Sequence, residues 1–244
     1  RVDDYFWMRE KDNPEVLAHL KAENAYTEAV MKPLEGFREA LYKEMLSRIQ
    51  ETDETVPYVK RGWWYYTREV EGLQYPIYCR RKGTMQAPEE VILDVNELAK
   101  GRSYTGVDFW EVSPDGRYLA YGADFTGYRE YTVYVKDLAS GELLPDRLER
   151  VDTLAWAADN ATIFYTQQNA AKRPDRVLRH RLGGKDDALV WEEKDELFNV
   201  GVGATRSDAF VVLVSASKDT SEVRVVASDR PDSPPRRIAG RRTG

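Results

Sequence analysis

The chain contains two histidines, and acyl transfer by a serine or cysteine nucleophile would need one of them as its base. His19 falls in a predicted helix, and His180 stands in a predicted strand between Arg179 and Arg181. Neither has a partner at the spacing of a metal-binding His-x-x-x-His pair. The nucleophile motif Gly-x-Ser-x-Gly does not occur in the sequence. We interpret both histidines as structural or solvent-facing, and we predict no catalytic residue and no metal site here.

Other residues that could take part in catalysis or binding also have simpler structural interpretations. Gly201-Val202-Gly203 begins like a dinucleotide-binding loop, but Arg206 occupies the position of the third glycine and a strand follows. Cys79 is predicted to be a buried strand residue, as free cysteines usually are. The pairs Asp186-Asp187 and Glu192-Glu193 are interpreted as solvated loop charges. No cofactor site is predicted.

The composition is that of an acidic globular protein. The 244 residues carry a net charge of −6, which argues against a nucleic-acid-binding surface because such surfaces are basic. No apolar run approaches the ~18 residues that a membrane span requires, so no membrane partner is expected. The single cysteine excludes an internal disulfide and fits a reducing compartment. We therefore expect a cytoplasmic protein, with the periplasm left open.

A strand-turn-strand unit recurs along the chain and dominates its organisation. In Ser113-Pro114-Asp115-Gly116 the proline presets φ, the aspartate can bond its own backbone, and the glycine accepts a positive φ. Similar turns carry Asp159 and Asp208, each followed by an apolar strand. The spacing of these aspartates lies within the ~40–50 residues of a propeller blade. The repeat therefore predicts a β-propeller.

From residue 56 onward the predicted strands group into four modules of about four strands each, as in propeller blades. A β-sandwich would supply similar strands without a matching turn in three modules. The fold class predicted for the chain is mainly β, a partial β-propeller of about four blades over residues 56–244. Four blades are the lower limit of closed propellers, so we expect part of a larger one.

Residues 1–55 are predicted to form a two-helix N-terminal arm. Asn13-Pro14 supplies a cap and a first helical residue, and Lys32-Pro33 ends the first helix. A second helix is predicted over 34–49, with an apolar stripe that must pack on another surface. The acidic segment Glu51–Thr55 is interpreted as a solvated linker.

Several stretches in consistent order resemble the prolyl oligopeptidase family of serine peptidases, and within it the oligopeptidase B (protease II) group. The stretches are Asp4-Tyr5-Phe6-Trp7-Met8-Arg9, Pro14-Glu15-Val16-Leu17, Glu23-Asn24-Ala25-Tyr26, Asp124-Phe125 with Arg129 and Tyr131, Lys136-Asp137-Leu138, Arg179-His180-Arg181-Leu182-Gly183, Glu192-Glu193-Lys194-Asp195 and Thr220-Ser221-Glu222-Val223. The resemblance covers essentially the whole chain and includes no catalytic signature.

The resemblance implies a seven-bladed propeller that caps an α/β-hydrolase domain, with the catalytic triad in later sequence. Such enzymes cleave short peptides after Arg or Lys, and the propeller limits substrate size. This chain would then supply the arm and about four blades, would be inactive alone, and would have its own C-terminal hydrolase domain as partner. Arg129 matches an arginine position of the family and is a candidate for contact with that domain; an ordinary exposed loop arginine is the alternative.

Two other functions remain open from the residues themselves. The chain could be a non-catalytic propeller module that binds a protein or peptide, or a four-bladed lectin-like or glycosidase-like propeller with paired carboxylates in its funnel. An isolated four-blade piece would expose unpaired strand edges and the apolar side of its arm helices. We therefore expect it to self-associate or to be marginally stable, which light scattering and a melting curve would test.

Overall fold

The computed structural model describes residues 3–242, and the chain divides into two compact units. The first unit ends at Glu51 and the second begins at Thr52, slightly before the expected boundary at residue 55. The first unit is helical and the second is built almost entirely of β-strands.

The helical unit contains the two helices predicted from the sequence. Helix α1 spans Pro14–Met31, and its N-terminus is capped by the Asn13 side chain, which accepts a hydrogen bond from the Glu15 amide at 2.9 Å. Helix α2 spans Glu35–Leu46 and follows one 3₁₀ turn, so it ends before the expected Ile49. No helix among residues 3–242 combines the length and apolar character needed to cross a bilayer.

Most of the apolar side chains of this unit are exposed. Val16 is the only buried hydrophobic residue among those described in the arm, whereas Phe37 is 66% exposed. The stripe expected on α2 is present and open to solvent, together with apolar residues of α1: Leu17, Leu20, Tyr26, Val30, Leu41, Tyr42 and Met45. The arm alone therefore buries too little apolar surface to account for its own order.

Within residues 52–242, the β unit has sixteen strands in three antiparallel sheets. The first sheet has five strands: β1 (Asp53–Glu54), β2 (Tyr58–Lys60), β3 (Trp63–Glu69), β4 (Ile77–Lys82) and β5 (Glu89–Asp94). The second has seven: β6 (Gly106–Val112), β7 (Tyr118–Asp124), β8 (Tyr131–Asp137), β9 (Leu143–Trp156), β10 (Thr162–Gln168), β11 (Pro174–Arg181) and β12 (Ala188–Glu192). The third has four: β13 (Asn199–Ala204), β14 (Phe210–Ala216), β15 (Ser221–Ala227) and β16 (Arg236–Ala239).

The three sheets correspond to the four predicted modules, because β9 is shared between two of them. Its first half pairs with β8 and its second half with β10, and Val151 has a partner on both sides. We call the resulting units blade 1 (β2–β5), blade 2 (β6–β8 with the start of β9), blade 3 (the end of β9 with β10–β12) and blade 4 (β13–β16). The sequence predicted two separate strands where one continuous strand passes between blades.

Two local predictions need correction. The acidic segment Glu51–Thr55 is not only a solvated linker, because its strand β1 pairs with the end of β3, with Asp53 opposite Glu69 and Glu54 opposite Arg68. A short helix that was not predicted, α3 (Val95–Ala99), follows β5 and is capped by Asp94.

The repeated turns join the first and second strands of the blades as predicted. Gly116 has a φ of +82°, and Asn160 and Asp208 also lie in the left-handed region. The Asp115 carboxylate accepts hydrogen bonds from the Ser113 hydroxyl and the Arg117 amide, and Asp159 bonds to its own turn in the same way. We call this edge of the β unit the hairpin-turn end, and the edge where second and third strands join the loop end.

The core lies mainly between neighbouring blades, where apolar residues of adjacent blades pack against each other. Blades 3 and 4 meet through a cluster that includes Phe164, Val211 and Leu213, all fully buried. Cys79 is fully buried within blade 1 as predicted, and burial raises the pKa of its thiol to about 11.

We predict that Gly122→Ala destabilises the β unit by about 2 kcal/mol, because overpacking a tight core forces neighbouring groups apart. A Cβ at this position in β7 would lie 2.3 Å from the Phe109 ring. Gly201→Ala is the matched control, since a Cβ at Gly201 in β13 has no heavy atom within 4 Å. Melting temperatures of the two variants would differ clearly, and equal values would contradict the prediction.

Candidate functional site

The first strands of blades 2, 3 and 4 line a cleft of about 340 Å³ in the β unit. Its walls come from β6, from the second half of β9 and from β13, with Arg61 of the β2–β3 turn at one end. A second cleft of about 330 Å³ continues from it at the hairpin-turn end and shares Arg61, Glu111 and Ala204. We call the two together the inner-strand cleft.

Ion pairs surround the hairpin-turn end of this cleft. Lys60 contacts Glu111 at 2.8 Å, and Arg61 contacts Asp208 at 2.5 Å. The hydrogen bond from Arg61 holds the pKa of the Asp208 carboxyl below its usual range, against the opposing effect of burial. Burial, followed by the charge of Glu111, raises the pKa of Tyr58 to about 12. The cleft thus combines these two ion pairs with both polar and apolar lining residues, and no activated nucleophile lies among the described residues that line it.

Arg129 lies where the sequence placed it, in the loop between β7 and β8 at the loop end. The buried Asp124 carboxylate organises this loop by accepting hydrogen bonds from the Thr126 amide and hydroxyl and from the Arg129 amide. Burial would raise the pKa of Asp124, but these hydrogen bonds lower it overall. Arg129 adopts a φ of +58°, and its exposed guanidinium has no ion-pair partner among the described residues. The loop therefore displays a cation on a constrained backbone.

The two histidines occupy very different places. His19 is exposed on α1, with its ring edge-on to Trp7. His180 is buried in β11, and both of its ring nitrogens face carboxylates, Asp187 at 2.6 Å and Asp146 at 2.8 Å. Because both nitrogens of His180 are occupied, this residue is not available as a base for a nucleophile.

Two carboxylates that were interpreted as solvated are structural. Asp187 accepts hydrogen bonds at 2.5 Å from the Tyr165 hydroxyl and at 2.6 Å from His180. Glu193 is buried and accepts a hydrogen bond from Ser215 at 2.6 Å. Their sequence neighbours Asp186 and Glu192 are exposed as expected, although Glu192 ends strand β12 and does not lie in a loop. Each adjacent pair therefore contains one surface group and one structural group.

Comparison with known proteins settles the family. The family model described as "Prolyl oligopeptidase, N-terminal beta-propeller domain" matches residues 1–244. The chain belongs to the prolyl oligopeptidase family. The predicted fold class is confirmed, since the two-helix arm is followed by a partial β-propeller whose blades are the four units described above.

Curated family members support this assignment. The chain is 42% identical to dipeptidyl aminopeptidase BI of Pseudoxanthomonas mexicana, over 95% of this chain and 35% of that protein. It is 37% identical to Protease 2 of Moraxella lacunata, over 100% of this chain and 37% of that protein. The chain therefore spans little more than a third of the length of these relatives and corresponds to the propeller part of a family peptidase.

Solved structures of the family agree in fold. Oligopeptidase B from Leishmania major superposes with a TM-score of 0.92 at 29% identity, over 100% of this chain and 36% of that one. Oligopeptidase B from Trypanosoma brucei, in a closed form with covalently bound antipain, gives a TM-score of 0.90 at 31% identity over the same shares. The resemblance noted in the sequence to oligopeptidase B is thereby confirmed.

Proposed function

We propose that this chain is the N-terminal arm and propeller part of a serine oligopeptidase that hydrolyses short peptides after Arg or Lys. The match of the whole chain to the family's propeller model carries the proposal. The similarity to oligopeptidase B over 100% of the chain supports the choice of subgroup. The propeller would limit substrate size, and the inner-strand cleft with its ion pairs at the hairpin-turn end is a candidate for the passage that does so.

The proposed partner is a C-terminal α/β-hydrolase domain of the same polypeptide. Two observations support this partner: the chain covers about a third of its relatives, and His180 is held by two carboxylates. The serine and its base would then come from the hydrolase domain. This chain alone would be inactive, and the exposed apolar stripe of the arm would pack on that domain. We propose a cytoplasmic location, with the periplasm as the alternative, in keeping with the single, buried cysteine.

The test is a peptidase assay on the full-length polypeptide and on residues 1–244 separately. We expect the full-length protein to cleave an amino-terminally blocked fluorogenic peptide after arginine, and to ignore the same peptide with a neutral residue at that position. Residues 1–244 alone should show no turnover. A full-length protein without hydrolytic activity would favour the non-catalytic binding module instead.

Removal of dipeptides from a free amino terminus is the second candidate activity. It is favoured by the 42% identity to a relative named dipeptidyl aminopeptidase. Mass analysis of the products from an unblocked peptide distinguishes the two activities. An exopeptidase would release successive dipeptides from the unblocked peptide and would not cleave the blocked one.

We predict that Arg129→Ala lowers kcat/KM of the full-length enzyme about two- to fivefold, the effect of losing one exposed interdomain ion pair of up to ~1 kcal/mol. The melting temperature should stay unchanged, because the Asp124 bonds to this loop use backbone groups at position 129. Arg181→Ala, which removes an exposed arginine that lines neither part of the cleft, is the control. Equal kinetics of the two variants would identify Arg129 as an ordinary surface residue.

A further inference from the structure

Arg61 occupies a turn position that its residue type does not favour. Arg61-Gly62 is the two-residue turn between β2 and β3, since Lys60 pairs with Trp63. Both turn residues are left-handed, with φ of +52° and +79°. Such turns select Asn, Asp or Gly at the first position, because other side chains crowd the backbone there. The arginine must therefore be explained by what its side chain contacts.

The Arg61 guanidinium makes three hydrogen bonds. Its Nε and Nη2 atoms donate to the two carboxylate oxygens of Asp208 at 2.6 and 2.5 Å, and Nη1 donates to the Val112 carbonyl at 3.1 Å. The paired contact to Asp208 is the fork-to-fork geometry that gives arginine–carboxylate pairs their strength and direction. Asp115 and Asp159, in the equivalent turns of blades 2 and 3, bond to their own turns instead.

This ion pair joins blades that are not neighbours. Arg61 belongs to blade 1 and Asp208 to blade 4, with blades 2 and 3 between them in the chain. The other bonds between blades at the hairpin-turn end, such as Asp115 N–H to Asn160 and Trp156 Nε1 to the Glu111 carbonyl, connect adjacent blades. Arg61 lines both parts of the inner-strand cleft and Asp208 lines the outer one. The pair therefore crosses the cleft.

We propose that the Arg61–Asp208 ion pair is a cross-tie that holds the hairpin-turn end of the inner-strand cleft closed. In the peptidase this tie would set the largest molecule that passes this end, a refinement that rests on the proposed function. The side chains are 19% and 33% exposed, so water can solvate both charges when the pair separates. Arg61 would keep its bond to the Val112 carbonyl in the open state, which makes the tie reversible.

The first test measures access to the cleft and requires no catalysis. Ala204→Cys places a thiol on the wall shared by both parts of the cleft, while the buried Cys79 with its raised pKa contributes little background. In the full-length protein we compare labelling by a small maleimide and by a polymer-linked maleimide, with and without Arg61→Asn. Asparagine suits the left-handed turn, so this variant removes the tie without straining the fold.

We expect Arg61→Asn to accelerate labelling by the large reagent about tenfold, which corresponds to about 1.4 kcal/mol lost from the closed state. Labelling by the small reagent should change little. The charge-swapped variant Arg61→Asp with Asp208→Arg should restore slow labelling. Lys60→Ala is the matched control, because it removes an ion pair of the same cleft that joins neighbouring blades. Lys60→Ala should label at the wild-type rate, and the cross-tie is overturned if Arg61→Asn labels no faster than Lys60→Ala.

The second test measures size selectivity of the full-length enzyme. Arg61→Asn should raise kcat/KM for long peptides relative to a short one with the same cleavage site, and the swapped pair should reverse the change. An unchanged ratio together with unchanged labelling rejects the tie while the peptidase proposal stands. A protein that cleaves no peptide but still shows tie-dependent labelling rejects the proposed function and supports the tie.

Discussion

Replacing His180 by alanine is expected to destabilise the β unit by about 3–5 kcal/mol, the usual effect of removing one partner from a buried charged cluster. The imidazole lies between Asp146 of β9 and Asp187 of the β11–β12 connection, and it is only 4% exposed. Its loss leaves two carboxylates close together in a poorly solvated place. The Asp146 Oδ2 atom already has no hydrogen-bond partner in the part of the chain described, so this carboxylate has few other groups to stabilise its charge.

The loss of stability in His180→Ala should appear first in blade 3. Amide exchange of β10 and β11 in the full-length protein would report a lower opening free energy, and the melting temperature would fall. His19→Ala is the control, because the other histidine is exposed on the arm. Adding Asp146→Asn to a His180→Leu variant should recover part of the lost stability, because it removes one of the two unpaired charges. The asparagine oxygen can still accept the hydrogen bond that the Gly183 N–H donates to Asp146 Oδ1 at 2.6 Å. A His180→Ala protein as stable as the His19→Ala control would contradict the prediction.

The strands and their turns were predictable because their determinants are local. Pro114, Asp115 and Gly116 determine a turn within four residues, and the apolar strand that follows needs only a packed neighbour. The cap of α1 is equally local, with Asn13 and Glu15 two positions apart. The division of β9 between two blades was missed because its middle is polar in sequence, although Leu148 and Val151 are buried there.

The ion pairs were not predictable, because each depends on residues far apart in the chain. Arg61 and Asp208 are 147 positions apart, and no local pattern distinguishes Asp208 from the turn aspartates Asp115 and Asp159. The environments of Asp186-Asp187 and Glu192-Glu193 were not predictable for a similar reason. Successive side chains in and next to a strand point to opposite faces, and the sequence does not say which face is buried. One signal of the Arg61 contact was available in the sequence, because an arginine stands before Gly62 in a two-residue turn where asparagine or glycine is usual.

Glu193 carries the second large effect that we expect. Its Oε1 accepts a hydrogen bond from the Asp195 N–H at 3.0 Å, and its Oε2 accepts from the Ser215 hydroxyl and from Arg241. Burial would raise the pKa of this carboxyl, but the Ser215 hydroxyl, the Asp195 amide and the Arg241 charge lower it overall. The ionised form therefore ties the end of blade 3 to blade 4.

We predict that Glu193→Gln destabilises this junction by about 3 kcal/mol at pH 7, since hydrogen bonds to a charged group contribute about 1.5–3 kcal/mol each and the amide replaces one acceptor by a donor. The lowered pKa gives the pH dependence its sign. The unfolded chain binds the proton more readily than the folded one, so the carboxylate stabilises the fold above its unfolded pKa of about 4.3. As the pH falls through the folded value, that contribution disappears, at up to about 1.4 kcal/mol per pH unit.

Wild type and Glu193→Gln should therefore converge in acid. The measurement is the opening free energy of β14 from amide exchange at pH 7 and at successively lower pH, with Glu192→Gln as the control at the exposed neighbouring carboxylate. Glu192→Gln should match wild type at every pH. A constant difference between wild type and Glu193→Gln across the acid range would show that the size and shape of the side chain, and not its charge, hold blades 3 and 4 together.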